Sequence, residues 1–141
     1  MIAVDTNVVL RRLLDDDAAQ SERARRLFEA EADVLITDVV LAEAVWTLKG
    51  KRYKATHNDI IAVIMGLLGE RNVVFESRQA VWSALNDFAA AHAASRSEAT
   101  DFADALIINK AKVTAQRRGK RYRGTYTLDR AALAIGGTRA V

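Results

Sequence analysis

The sequence predicts an α/β fold in which a small parallel sheet of four to five strands is flanked by helices on both faces. Two observations lead there. Short apolar segments at 2–4, 34–36 and 73–75 are rich in Val and Ile and alternate with longer stretches of helical periodicity. Most helical stretches open on a capping residue or stop at Gly. Strands separated by helices pair in parallel through right-handed crossovers, which brings all strand C-termini to one edge. Open α/β sheets hold their chemistry at that edge.

The elements follow in order. Residues 2–4 make a short buried strand and 8–14 a first helix. Asp17 and Gln20 begin a second helix through Glu29, with Leu27 and Phe28 inward. After a strand at 34–36, Asp38 caps a helix over 39–48 that Gly50 stops. Thr56 and Asp59 open another over 58–68, apolar nearly all round from Ile60 to Met65. That suits a core helix, or a helix covered on its far side by a partner. The third strand is 73–75. Ser77 caps a helix with Val81, Leu85, Phe88 and His92 on one stripe. A helix from about Asp101 to Arg118 stops at Gly119, followed by a strand at 125–128 and an edge strand at 138–141.

The length of 141 residues suits one domain over 1–141, large enough to bury about two-thirds of its unfolded surface. No cysteine is present, so disulfides, thiolate metal sites and a cysteine nucleophile are excluded, and a reducing cytoplasm is the expected location. No secretory signal is visible, and the most apolar stretch, 60–68, falls short of the about twenty residues that span a bilayer. The net charge of +3 and the pI near 9.4 permit a polyanionic partner. His57 and His92 are far apart in sequence and are assigned to structure.

Asp5 ends the first strand, at Met1-Ile2-Ala3-Val4-Asp5. Three later acidic positions have comparable places, early in a helix or just past a strand: Glu43, the Asp101/Asp104 pair, and Asp129. Glu43 shares a helix face with Val39 and Trp46, which predicts partial burial. Asp101 is explained by capping, whereas Asp104 lies deeper, against Leu106 and Ile107. Asp129 follows a strand in which Thr127 offers a hydroxyl, and it also suits a helix cap or a pair with Arg130. Gathered carboxylates repel, a 4 Å pair by about 4 kcal/mol at a dielectric of about 20, so a cluster calls for a cation. An all-oxygen set favours Mg²⁺ or Mn²⁺, with Ca²⁺ possible, and such an ion suits phosphodiester hydrolysis.

Four segments together resemble the PIN-domain family, and within it the VapC-type toxin ribonucleases of toxin–antitoxin pairs. They are Met1-Ile2-Ala3-Val4-Asp5-Thr6-Asn7, Leu41-Ala42-Glu43-Ala44-Val45-Trp46, Asp101-Phe102-Ala103-Asp104-Ala105-Leu106-Ile107 and Tyr126-Thr127-Leu128-Asp129-Arg130. The resemblance implies catalytic, metal-holding acids at Asp5, Glu43, Asp104 and Asp129. Asp101, Thr6, Asn7 and Thr127 are implied as accessory residues. It also implies Mg²⁺ or Mn²⁺ as cofactor, endonucleolytic cleavage of RNA, a homodimer and a cognate antitoxin. Lys110 and Lys112 depart from the small or apolar residues usual on that helix.

Two basic clusters interleave cations with tyrosine, a pattern suited to phosphate contact and base stacking. One holds Lys49, Lys51, Arg52 and Lys54 around Tyr53. The other holds Arg117, Arg118, Lys120, Arg121 and Arg123 around Tyr122. Both follow helix C-termini, about 15 Å or more from acids at the helix starts, so they suit flanking RNA. Arg11, Arg12, Arg23, Arg25 and Arg26 are further candidates, or an exposed helical face. Two other readings stand beside the nuclease. One is Mg²⁺-dependent phosphoryl transfer, but phosphatases of the haloacid-dehalogenase type need Asp-x-Asp after the first strand, and Asn7 cannot act as a general acid. The other is a non-catalytic RNA-binding or scaffold module with a degenerate acidic site.

Overall fold

In the computed structural model, strand β1 (Ile2–Ala3) pairs in parallel with β2 (Val34–Ile36), and β2 pairs in parallel with β3 (Val73–Phe75). The register sets Ile2 beside Val34, and Val34 beside Val73. The structure describes residues 1–95 and 100–141. The chain divides into two units, Met1–Glu76 and Ser77–Val141. No helix among the described residues is long and apolar enough to cross a membrane.

In the first unit, helices α1 (Thr6–Leu13) and α2 (Ala18–Ala30) lie between β1 and β2 in the chain, and α3 (Asp38–Lys49) and α4 (His57–Gly69) between β2 and β3. The local chemistry explains the boundaries. Asp17 caps α2 by accepting from the Gln20 N–H, and Thr56 and Asp59 form a reciprocal capping box on α4. The side-chain amide of Asn72 donates to the Phe28 and Glu31 carbonyls, satisfying the end of α2. Buried Val9, Phe28, Val34, Ile36, Leu41, Ile60 and Ile64 supply much of the core.

Three expectations for this unit are corrected. Thr37, not Asp38, caps α3, accepting from the Val40 N–H; Asp38 falls in the first turn and its own N–H donates to Glu76. Leu27 is exposed, bordering a hollow of about 440 Å³ between α1 and α2. Val39 and Trp46 are each 73% exposed and Glu43 is exposed with them. The buried stripe of α3 is Leu41, Ala44, Val45 and Leu48. Apolar residues occupy nearly every face of this helix, so its periodicity fixes a helix without fixing which face turns inward.

Asp16, in the loop after α1, collects three partners. Arg11 Nη1 lies 2.6 Å from Oδ1, and Arg52 Nη2 (3.3 Å) and the Tyr53 hydroxyl (2.9 Å) meet Oδ2. The Arg52 guanidinium also sits 5.1 Å from the Tyr53 ring centroid. The Arg11 hydrogen bond, and then that of Tyr53, hold the Asp16 carboxyl below its ordinary value of 3.8. A depressed folded pKa contributes stability above the unfolded value, lost as pH falls through the folded one. The expected result is that Asp16→Asn costs stability at neutral pH and that the gap to the native chain narrows as pH falls below about 3.8. Urea unfolding followed by circular dichroism measures it, and a gap constant from neutral to strongly acid pH would contradict this account.

In the second unit, α5 (Arg78–Ser95) packs extensively with α6 (Phe102–Arg117). Ser77 caps α5 by accepting from the Ala80 N–H. Val81, Leu85 and Phe88 are buried as their stripe predicts. Phe88 and Phe102 meet edge to face at 5.9 Å. Strands β4 (Thr125–Thr127) and β5 (Thr138–Ala140) pair in parallel and bracket a 3₁₀ turn at Ala132–Ala134. Parallel strands alternating with helices are thus borne out, hydrogen-bonded as one set of three and one of two. Lys112 has a local role: its ammonium donates to the Gly136 carbonyl at 3.0 Å and lies 3.9 Å from Asp87. Asp87 Oδ2 also accepts from Asn109 at 2.8 Å, so α5, α6 and the turn before β5 are tied together.

Candidate functional site

In the first unit, Asp5 is the N-cap of α1. Its Oδ1 accepts from the Val8 N–H at 2.9 Å. Thr6, the first helical residue, donates its hydroxyl to Glu43 Oε2 at 2.7 Å across 37 positions of sequence. The end of β1 and the middle of α3 are thereby brought together, with Asp5 and Glu43 both exposed. Asn7 is exposed too and borders the hollow lined by Val8, Arg11, Gln20 and Leu27.

In the second unit, Asp101 occupies the N-cap position of α6 but makes no side-chain cap hydrogen bond, which corrects the capping role expected for it. Asp104 stands in the first turn, half-buried, among buried Phe102, Ala105 and Leu106. Asp129 is exposed, and its Oδ1 accepts from the Ala131 N–H at 2.8 Å. The Thr127 hydroxyl accepts from the Asp129 N–H at 2.9 Å. Asp129 therefore holds a tight turn ahead of the 3₁₀ segment rather than capping an α-helix.

One pattern recurs in three of the acids. Asp5, Glu43 and Asp129 each bond one carboxylate oxygen within the chain, while the other has no hydrogen-bond partner among the described residues. One bond orients the group and leaves an exposed anionic oxygen, which suits a hard cation. In neither unit do three or more acidic or histidine side chains gather at metal-holding distance, among the described residues. Of the histidines, His57 is buried at the start of α4 and His92 is half-buried on α5, which fits the structural assignment.

The basic candidates divide sharply. Arg11, Arg12, Arg25, Arg26 and Arg52 are engaged with Asp16, Glu70, Asp15 or Glu22. Lys51 and Lys54 are exposed, and Lys54 takes the left-handed conformation (φ 50°) in the turn after α3. Lys49 is half-buried on the last turn of α3. Arg117, Arg118, Lys120, Arg121 and Arg123 are all exposed. Local sequence gave no sign of Glu76 as a cap for α3 or of Asp16 as a hub, because both act on residues distant in the chain.

Comparison with curated proteins and with solved structures gives no match. A family model, the PIN domain, matches residues 2–118. That range includes Asp5, Glu43, Asp101 and Asp104 and stops short of Thr127 and Asp129. PIN domains are generally nucleases and typically use divalent metal ions. With well over half of its length matched, the chain belongs to the PIN-domain family, a fold of metal-dependent nucleases.

Proposed function

We propose that this PIN domain is an endoribonuclease that uses Mg²⁺ or Mn²⁺ and serves as the toxin of a VapC-type toxin–antitoxin pair. The observation that carries the reading is the Thr6–Glu43 hydrogen bond at 2.7 Å, which sets Glu43 beside the residue that follows Asp5. Asp5, Glu43, Asp104 and Asp129 would hold the ion, with Asp101 as an accessory. A bound divalent cation supplies Lewis-acid stabilisation of phosphoryl oxygens and a more acidic water. The chain's own part is orientation. The Val8 N–H fixes Asp5, the Thr6 hydroxyl fixes Glu43, and the Ala131 N–H fixes Asp129. Exposed Val39 and Trp46 on α3 support a protein partner, which we take to be a second copy or a cognate antitoxin.

The deciding experiment is cleavage of a panel of structured RNAs by the purified chain. Cleavage is expected with Mg²⁺ or Mn²⁺, to stop with a chelator and to return when either ion is added in excess. Cutting that persists in chelator would exclude the metal-dependent reading. In cells, expression of the chain alone is expected to arrest growth.

Thr6→Val keeps the volume and removes the donor to Glu43. Partners that orient metal ligands are typically worth about 10–100-fold in activity. We expect a loss of that size in cleavage, with stability lowered by about 1 kcal/mol for the missing hydrogen bond. Thr6→Ser should restore most of it. Equal rates for the native, Val and Ser chains would remove Thr6 from the site.

A further inference from the structure

The second unit carries a groove of about 410 Å³ whose lining is Arg121, Tyr122, Arg123, Tyr126 and Arg139. That is within the range of about 300–1,000 Å³ usual for small-ligand sites. Three arginines and two tyrosines line it, with no acid among them. Unlike Arg11, Arg12, Arg25, Arg26 and Arg52 of the first unit, Arg121, Arg123 and Arg139 have no ion-pair partner among the described residues. Neighbouring unpaired cations repel one another and favour an anion near them.

The groove is also built. Tyr126 and Arg139 are register partners on β4 and β5, side by side on neighbouring strands. The Arg139 stem crosses Gly124 so closely that a Cβ there would stand 2.9 Å from it, and Gly124 takes φ +129°, which other residues rarely adopt. The Tyr122 hydroxyl donates to the Gly137 carbonyl at 3.0 Å and lies 2.7 Å from the Thr125 hydroxyl, which fixes its ring. Tyr126 is 59% exposed and so offers a ring face.

We infer that this groove is a subsite for unpaired nucleotides of RNA. Arg121, Arg123 and Arg139 hold phosphates through their planar forks, and a base stacks on Tyr126. Naming RNA as the anion rests on the nuclease reading above. Tyr126 stands three positions before Asp129, no more than about 10 Å away even along a fully extended chain, so the groove holds nucleotides next to Asp129.

The test is fluorescence anisotropy with the full chain in chelator, so that RNA is bound without being cut. The probes are a labelled eight-nucleotide single strand, a duplex of the same length, inorganic polyphosphate and a phosphoserine peptide. The single strand is expected to bind more tightly than the duplex or the peptide. Tyr126→Ala is expected to weaken the single strand roughly tenfold and leave polyphosphate unchanged, since base stacking is lost and charge is not. Arg139→Gln is expected to weaken both and lower the salt dependence by about one phosphate. If both variants, shown folded by circular dichroism, bind the single strand as the native chain does, the subsite is wrong. It is equally wrong if the duplex or the peptide binds best. The two readings fail separately: groove variants that bind as the native chain does, while the native chain cleaves RNA, overturn only the subsite. Intact binding by a chain that never cleaves overturns only the nuclease.

Discussion

Asp5→Asn is expected to lower RNA cleavage by at least about a hundredfold while leaving the fold within about 1 kcal/mol of native stability. The first figure follows because residues that merely orient metal ligands already cost about 10–100-fold, and a proposed ligand should cost no less. The second follows from the hydrogen bonding. Asp5 is exposed and contributes one cap bond, from the Val8 N–H to Oδ1. An Asn side chain keeps an oxygen at that position and is as good an N-cap. What it loses is the negative charge at the helix start, worth about 0.3–1 kcal/mol, and the anionic second oxygen. Asp5→Ala would lose the cap as well, about 1 kcal/mol more, and would mix the two effects. Cleavage assays and thermal unfolding of the Asn variant separate them. A variant that cuts RNA at the native rate would remove Asp5 from the site.

Phe102→Ala should have the largest effect on stability, about 3–5 kcal/mol, corresponding to a fall in Tm on the order of 10 °C. Phe102 is fully buried at the first position of α6 and meets Phe88 of α5 edge to face. Truncation removes the ring from the packed face between α5 and α6 and leaves a cavity. Phe102→Leu refills most of that space and should cost far less. Phe102 also lies between Asp101 and Asp104, so any activity lost in the Ala variant reports a frayed helix start rather than missing chemistry. Calorimetry of the two variants decides it, and a Tm fall of only about a degree for Ala would refute the packing account.

Much of this structure was legible in the sequence because its cues are local. The Asp17 cap, the Thr56–Asp59 box and the Ser77 cap each act within three residues, and each stands where it was expected. The short Val- and Ile-rich strands were equally plain. What was not legible depends on partners far along the chain or on a choice among equivalent faces. Helix α3 is apolar on several sides, and only its packing decides that Leu41 and Val45 turn inward while Val39 and Trp46 do not. Asp101 has the residue type and position of a cap, yet its side chain makes no cap bond. Of the candidate acids, the places of Asp5, Asp104 and Asp129 at the ends of elements could be read directly, whereas the exposed mid-helix place of Glu43 could not. The Thr6–Glu43 bond and the pairing of Tyr126 with Arg139 could not, since both join segments by tertiary structure.

The β4–β5 pair has a consequence for how the chain finds its fold. Its register joins Thr125 to Thr138, 13 positions along, whereas β2–β3 joins Val34 to Val73, 39 positions along. The entropy of closing a loop rises with the logarithm of its length, so the threefold shorter loop is favoured by about 1 kcal/mol. The C-terminal ladder, which holds Asp129 and the arginine-lined groove beside it, is therefore assembled from contacts close in sequence. An insertion in its connecting turn would raise that closure cost, whereas the three-stranded sheet already carries the cost of long-range pairing.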